Sequence, residues 1–255
     1  MKLRSTLLSL SAALLLLALL VAPALPAASR EFSQVYPLRA DGSLELTNVN
    51  GGVRVEVWDK EAVEVRAVKS TPEREALLDL VSIDVESRPD YLSIATRYPF
   101  DGGVEVAVDY TLRVPRHAHL ARLSTVNGTL RVTDAISVGD LHTVNGNIEV
   151  YEGSGDIRAR TTNGNVYLEW RQEAETHGAS AETTNGSVVL VIPAGLRADV
   201  EAHCMNGSFS SDLPFVMQGS DQQRVLRGQL GSGGVPIRLG TVNGTIHIAA
   251  AKSTI

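Results

Sequence analysis

Thr125-Val126-Asn127-Gly128-Thr129-Leu130-Arg131-Val132 returns 18 residues later (143 − 125) as Thr143-Val144-Asn145-Gly146-Asn147-Ile148-Glu149-Val150. A third copy, Thr161-Thr162-Asn163-Gly164-Asn165-Val166-Tyr167-Leu168, follows after a further 18 (161 − 143). Outward from these three, Asn-Gly recurs at Asn185-Gly186, Asn206-Gly207 and Asn243-Gly244, and once early at Asn50-Gly51. The later steps are 22 (185 − 163), 21 (206 − 185) and 37 (243 − 206). A nearly fixed period is the mark of a repeat architecture, in which each copy builds one unit of a stack.

After each turn the apolar residues alternate: Leu130 and Val132, Ile148 and Val150, Val166 and Leu168, Val188 and Leu190, Ile246 and Ile248. Val53, Val55 and Val57 do the same after the early turn. Alternation with period two predicts strands buried on one face. Gly139-Asp140 and Gly155-Asp156 read as secondary breaks, giving at least two strands per repeat. Asn tolerates positive φ and Gly accepts it freely, so an isolated Asn-Gly predicts a tight hairpin. Copies at equal spacing favour a coil instead, because equal-length repeats stack. The Asn side chains of successive coils would then lie about 4.8 Å apart, close enough for amide-to-amide hydrogen bonds. The Thr residues before them would form a second polar column. The predicted fold class is all-β, a β-solenoid-like stack of short strands with Asn-Gly turns. The turn residues are Asn50, Gly51, Asn127, Gly128, Asn145, Gly146, Asn163, Gly164, Asn185, Gly186, Asn206, Gly207, Asn243 and Gly244.

Three stretches depart from the repeat. Residues 71–81 predict one short helix near 72–81, capped by Thr71, with Pro72 in its first turn. Residues 82–123 hold further alternating strands. Residues 210–236, rich in Gly and Pro, predict an excursion from the stack; with the region from Pro99 to Gly103 it is a first candidate for a specialised surface.

The first 28 residues have the layout of a secretory signal peptide. Lys2 and Arg4 precede an apolar run from Leu7 to Val21, and Pro23 and Pro26 close it before Ala27 and Ala28. Cleavage there leaves residues 29–255 as one β-strand-repeat domain, with N-terminal strands over 40–123 and main repeats over 124–250. Loss of Lys2 and Arg4 leaves 21 cations (23 − 2) against 29 acids, a net charge of −8 (21 − 29). Such a surface repels nucleic acid and anionic headgroups. With the signal removed, no segment is left that spans a membrane. Cys204 is the only cysteine, so no internal disulfide forms, and the core must be built from Val, Ile, Leu and Ala.

The repeated Thr-Val-Asn-Gly and Thr-Thr-Asn-Gly resemble a candidate-adhesin family of bacterial β-strand-repeat proteins, a domain of unknown function. Tyr110-Thr111-Leu112-Arg113-Val114-Pro115 leading into the first long run, and the closing Gly240-Thr241-Val242-Asn243-Gly244-Thr245-Ile246, share that resemblance. It extends over roughly residues 40 to 250 and implies an extracytoplasmic β-solenoid-like domain. It brings no catalytic residues with it.

The chemistry-bearing residues do not assemble into a motif. His117 and His119 would share a strand face, but no third metal ligand stands nearby. His203 and Cys204 are adjacent, so on a strand they face opposite ways and make no nucleophilic dyad. Asp140 and Asp156 stand at like positions in neighbouring coils and are the best carboxylate pair for glycan chemistry, yet each follows a Gly as turn residues do. The reading is therefore an exported, non-catalytic interaction or scaffold module, periplasmic or extracellular and adhesin-like, with no catalytic, cofactor or metal residues. Its partner is an envelope protein or surface component. A carbohydrate-active β-helix enzyme and an accessory subunit of an envelope-stress system are the alternatives. The equivalent outward residues Arg131, Glu149, Tyr167 and Val189 differ in kind, which favours a protein partner over a repeating polymer.

Overall fold

The computed structural model describes residues 28–99, 103–171, 176–217 and 225–251. The predicted signal peptide lies outside them except for Ala28, which opens the first strand. Among the described residues nineteen strands form one continuous hydrogen-bonded sheet wound into a two-walled solenoid. The first wall is a parallel ladder. Its order is β6 (Tyr91–Arg97), β2 (Ser43–Thr47), β8 (His119–Ser124), β10 (Val138–His142), β12 (Gly155–Asn163) and β14 (Thr176–Asn185). The front halves of β19 (Val235–Ala250) and β16 (Ala198–Ser211) complete it. The second wall runs β7 (Ala107–Pro115), β3 (Val53–Trp58), β9 (Leu130–Thr133), β11 (Ile148–Gly153), β13 (Val166–Trp170) and β15 (Val188–Ile192). It ends with the rear halves of β19 and β16.

The alternating apolar residues fall into level columns between the walls. Val53, Leu130, Ile148, Val166, Val188 and Ile246 share one, and Val55, Val132, Val150, Leu168, Leu190 and Ile248 the next. All twelve are at most 2% exposed, so the period-two pattern is spent entirely on the core.

The stack order departs from chain order at both ends. The β2–β3 coil, earlier in the chain, lies inside the β6–β7 coil. At the other end β19, the last strand in the chain, lies between β14–β15 and β16. Antiparallel strands cover the ends. On one side β5 (Ser82–Arg88) pairs with β6, β4 (Ala62–Thr71) with β7, and β1 (Ala28–Pro37) with β4. On the other, β18 (Val225–Leu230) pairs with Ala198–His203 of β16, and β17 (Phe215–Met217) pairs with β18. Covering of the edge and a very short edge strand such as β17 both blunt further pairing at a sheet's end.

Several local expectations change. The short helix is 3-10, Glu75–Leu80, flanked by Arg74; Thr71 ends β4, and its hydroxyl accepts from the Glu73 N–H at 3.2 Å. Pro72 and Glu73 are therefore a link out of a strand, and Glu75 stands in the first turn. Gly139-Asp140 is no break but lies within β10, where Gly139 leaves room for the Ala121 carbonyl. Residues 210–236 return to the sheet as β17 and β18, apart from 218–224, which are not among the described residues. Residues 100–102 of the Pro99–Gly103 candidate also lie outside them. No helix among the described residues is long and apolar enough to cross a membrane.

Candidate functional site

Three surfaces of the solenoid carry its polar chemistry: the Asn-Gly corner and the outer faces of the two walls. At the corner seven Asn amides form one chain of hydrogen bonds. Nδ2 of Asn127 donates to Oδ1 of Asn50 at 2.7 Å, Asn145 to Asn127 at 2.8 Å, and Asn163 to Asn145 at 2.8 Å. Asn185 donates to Asn163 and Asn243 to Asn185, both at 2.8 Å, and Asn206 closes the column on Asn243 at 2.9 Å. None of these Asn residues has positive φ; among the described non-glycines only Asp134 and Glu152 do. The glycines are required for closeness instead. A Cβ on Gly146 would stand 2.0 Å from the Gly128 carbonyl oxygen, and one on Gly164 2.0 Å from that of Gly146.

Directly inside the amides runs a buried hydroxyl column. Thr143 Oγ1 donates to the Gly128 carbonyl at 3.0 Å, Thr161 to Gly146 at 2.9 Å, Thr183 to Gly164 and Thr241 to Gly186, both at 2.8 Å. Each coil's Thr thus satisfies a carbonyl of the coil beneath, as buried acceptors require. Asn48 takes this place at the start, donating to the Val108 carbonyl at 2.9 Å. Cys204 takes it at the end, its thiol 3.5 Å from the Gly244 carbonyl, and burial pushes the thiol pKa up. Cys204 is therefore the last member of the polar column and packs against the edge of the core.

On the outer face of the first wall Glu45, Arg122, Asp140, Arg158, Ser180, Arg238, Glu201 and Arg227 lie level, strand to strand. Asp140 is thus level with Arg158, not with Asp156. Arg158 bridges both acids, at 3.5 Å to Asp140 and in closer contact with Asp156. Two carboxylates that share one guanidinium form an exposed ion-pair cluster. Arg160 pairs with Glu182 at 3.1 Å, and a 350 Å³ groove lies between Arg122, His142, Arg158 and Arg160. Toward the cap Glu201 accepts from Arg227 at 2.7 Å. That bond first, then the Arg227 charge and His203, holds its carboxyl below the usual range against the opposing effect of desolvation.

The outer face of the second wall aligns Thr111, Arg54, Arg131, Glu149, Tyr167, Val189, His247 and Ser210. Arg131 pairs with Glu149 and lies 5.5 Å from the Tyr151 ring centroid; the Tyr151 and Tyr167 rings are 5.1 Å apart. Desolvation, with Glu169 beside it, pushes the Tyr167 phenol up to about 12. This tyrosine pair had a faint sequence signal: Tyr151 is two residues beyond Glu149, whose level partner is Tyr167. The histidines do not converge with other ligands. His117 lies in the turn before β8, and His119 bonds Ser137 at 2.9 Å through Nδ1. Among the described residues no three His, Cys, Asp or Glu side chains cluster as metal ligands do.

The sequence profile of one family matches residues 2–249 of this chain, which is nearly its whole length. The chain belongs to the Toastrack DUF4097 family. Among curated proteins nothing matches it. The Toastrack fold is shared by a candidate cell adhesion protein from Clostridium sporogenes. That structure superposes with a TM-score of 0.54 at 12% identity, over 88% of this chain and 100% of that one. A candidate adhesin from Bacteroides fragilis gives 0.34 at 9% identity, over 87% and 97%. A candidate lipid binding protein from Parabacteroides distasonis gives 0.30 at 12% identity, over 89% and 97%. At 12% identity the likeness to the Clostridium protein is one of fold.

Proposed function

We propose that this Toastrack chain is an exported, non-catalytic interaction module of the cell envelope, adhesin-like in that it presents a rigid patterned wall to a protein partner. One observation carries the reading. The scaffold repeats coil by coil, yet beyond the Arg54–Arg131 pair the outward column runs on through Glu149, Tyr167, Val189 and His247 with no repeated side chain. A polymer of identical units would meet a different side chain at each step from Arg131 onward, whereas a folded surface can match a single irregular row. Pairing of Asp140 and Asp156 with one arginine supports a binding role over glycan cleavage. The signal-like first 28 residues, followed at once by β1, support export.

The test is retention of envelope proteins on the immobilised chain from Ala28 onward, with purified wall polymer and glycans tried in parallel. One defined protein should be retained by the parent chain and released from Tyr167→Ala. Binding to glycan, with shorter fragments released, would overturn the non-catalytic reading. Export is tested separately by the N-terminal sequence of the protein recovered from cells, expected to start at Ala28 or Ser29.

A further inference from the structure

Seven Asn-Gly pairs make this chain a dense array of one reactive dipeptide. In an unfolded chain the Gly amide nitrogen attacks the Asn Cγ with little hindrance, because Gly has no side chain to block it. The nitrogen loses its proton and bonds to Cγ, and Nδ2 leaves as ammonia. Water then opens the resulting succinimide at either carbonyl, to aspartate or isoaspartate. No electrons are transferred and water is the only co-reactant.

Solvent exposure of the amides does not separate the seven sites, since six of the Asn residues are exposed and Asn50 is half-buried. The attacking nitrogen does separate them. Gly51 N–H donates to the Asn127 carbonyl at 2.8 Å, Gly128 to Asn145 at 3.0 Å, and Gly146 to Asn163 at 2.9 Å. Gly164 donates to Asn185 and Gly186 to Asn243, both at 3.0 Å. Gly244 is held between β14–β15 and β16 inside the parallel ladder. Each glycine N–H thus points to the next coil, and the order of coils ends at Asn206-Gly207. Beyond it no further coil stands among the described residues. The antiparallel cap strand β18 covers β16 only from Ala198 to His203, so it stops short of this corner. Gly207 is the one exposed glycine of the seven, and its N–H has no hydrogen-bond partner among the described residues outside its own ladder with β19.

We infer that Asn206 is the chain's site of spontaneous deamidation, and that the ladder protects the other six. Where the N–H is bonded, the coil must open before the nitrogen can lose its proton and turn toward Cγ. At the last coil that opening is cheapest, as it is for any terminal unit of a stack. The product acts on the stack's end. The aspartyl form of this position would set a carboxylate where Nδ2 of Asn206 now donates to Asn243. The isoaspartyl form would also lengthen the backbone where Gly207 lies level with Gly244.

The experiment incubates the folded protein in mildly alkaline buffer and maps peptides by fragmentation that separates aspartyl from isoaspartyl products. The urea-unfolded chain and Asn206→Ser serve as controls. In the folded protein Asn206 should lose its amide about fivefold faster than any other Asn-Gly, the factor that one net hydrogen bond of about 1 kcal/mol gives. In urea the seven rates should converge, and Asn206→Ser should leave the folded protein almost unmodified. Equal native rates at all seven sites would overturn the inference. So would a faster reaction at Asn50, whose side-chain Nδ2 rather than whose glycine stands at a ladder end.

Discussion

At the scale of single residues the corner of each coil is decided by what a side chain excludes. Gly146 has the Gly128 carbonyl oxygen 2.0 Å from where its Cβ would be, and that oxygen belongs to a backbone fixed from both sides. Gly146→Ala should therefore cost about 3 kcal/mol, the upper end for overpacking. Gly195→Ala, with nothing within 4 Å, should leave the denaturation midpoint unchanged. Urea unfolding of the pair distinguishes this steric role from a general loss of chain flexibility, which would affect both alike. Cys204 offers the opposite change. Its thiol makes a weak 3.5 Å contact where five other coils place a Thr hydroxyl against the same carbonyl, four of them at 2.8–3.0 Å. Cys204→Thr should raise stability by about 0.5–1.5 kcal/mol, one net hydrogen bond, measurable as a shift in the same midpoint.

At the scale of elements the caps are held by charge as well as by backbone pairing. Arg227 of β18 donates to Glu201 of β16 and, with His203, keeps its carboxyl below the usual range. The pairing therefore stabilises the cap at any pH above the unfolded carboxylate pKa and is lost as pH falls through the lower folded value. Acidification should loosen β17 and β18 before the rest of the sheet, and Glu201→Gln should remove the pH dependence of their amide exchange. An unchanged profile in that variant would assign the acid sensitivity elsewhere. The strands themselves were legible in the sequence, because burial on one face leaves a period-two trace and each coil repeats it. The partners across the first wall were obscured by a local likeness. Gly139-Asp140 and Gly155-Asp156 look equivalent, but they stand 16 apart (156 − 140), and the 18-residue coil puts Asp140 level with Arg158. The period carried the register and the dipeptide misled.

At the scale of the whole molecule, chain order and stack order are different quantities, and only the first is written in the spacing. A 37-residue step (243 − 206) from Asn206 to Asn243 fits a final coil placed outermost as well as one tucked inside. What marks Asn206 as the outer coil is its composition. Phe209, Ser210 and Ser211 stand where the inner coils have Val-X-Leu or Ile-X-Ile, and Met205 is 51% exposed. A coil with one neighbour has less core to fill, so its sequence decays. Among the described residues β19 is the sole parallel neighbour of β16, and it buries Leu239, Ile246 and Ile248 at 1% exposure or less. The outer coil is therefore stable only while β19 is in place. A stack with nearest-neighbour coupling then predicts the order of opening. Leu239→Ala should cost about 2–5 kcal/mol locally. Hydrogen exchange should show β16, β18 and β19 released together, while β9 to β13 keep their protection. Were β16 to stay protected when β19 opens, the cap strands rather than the inserted C-terminal strand would be holding that end of the molecule. Uniform loss across all coils would instead mean that the solenoid unfolds as one unit, without the coil-by-coil coupling its register implies.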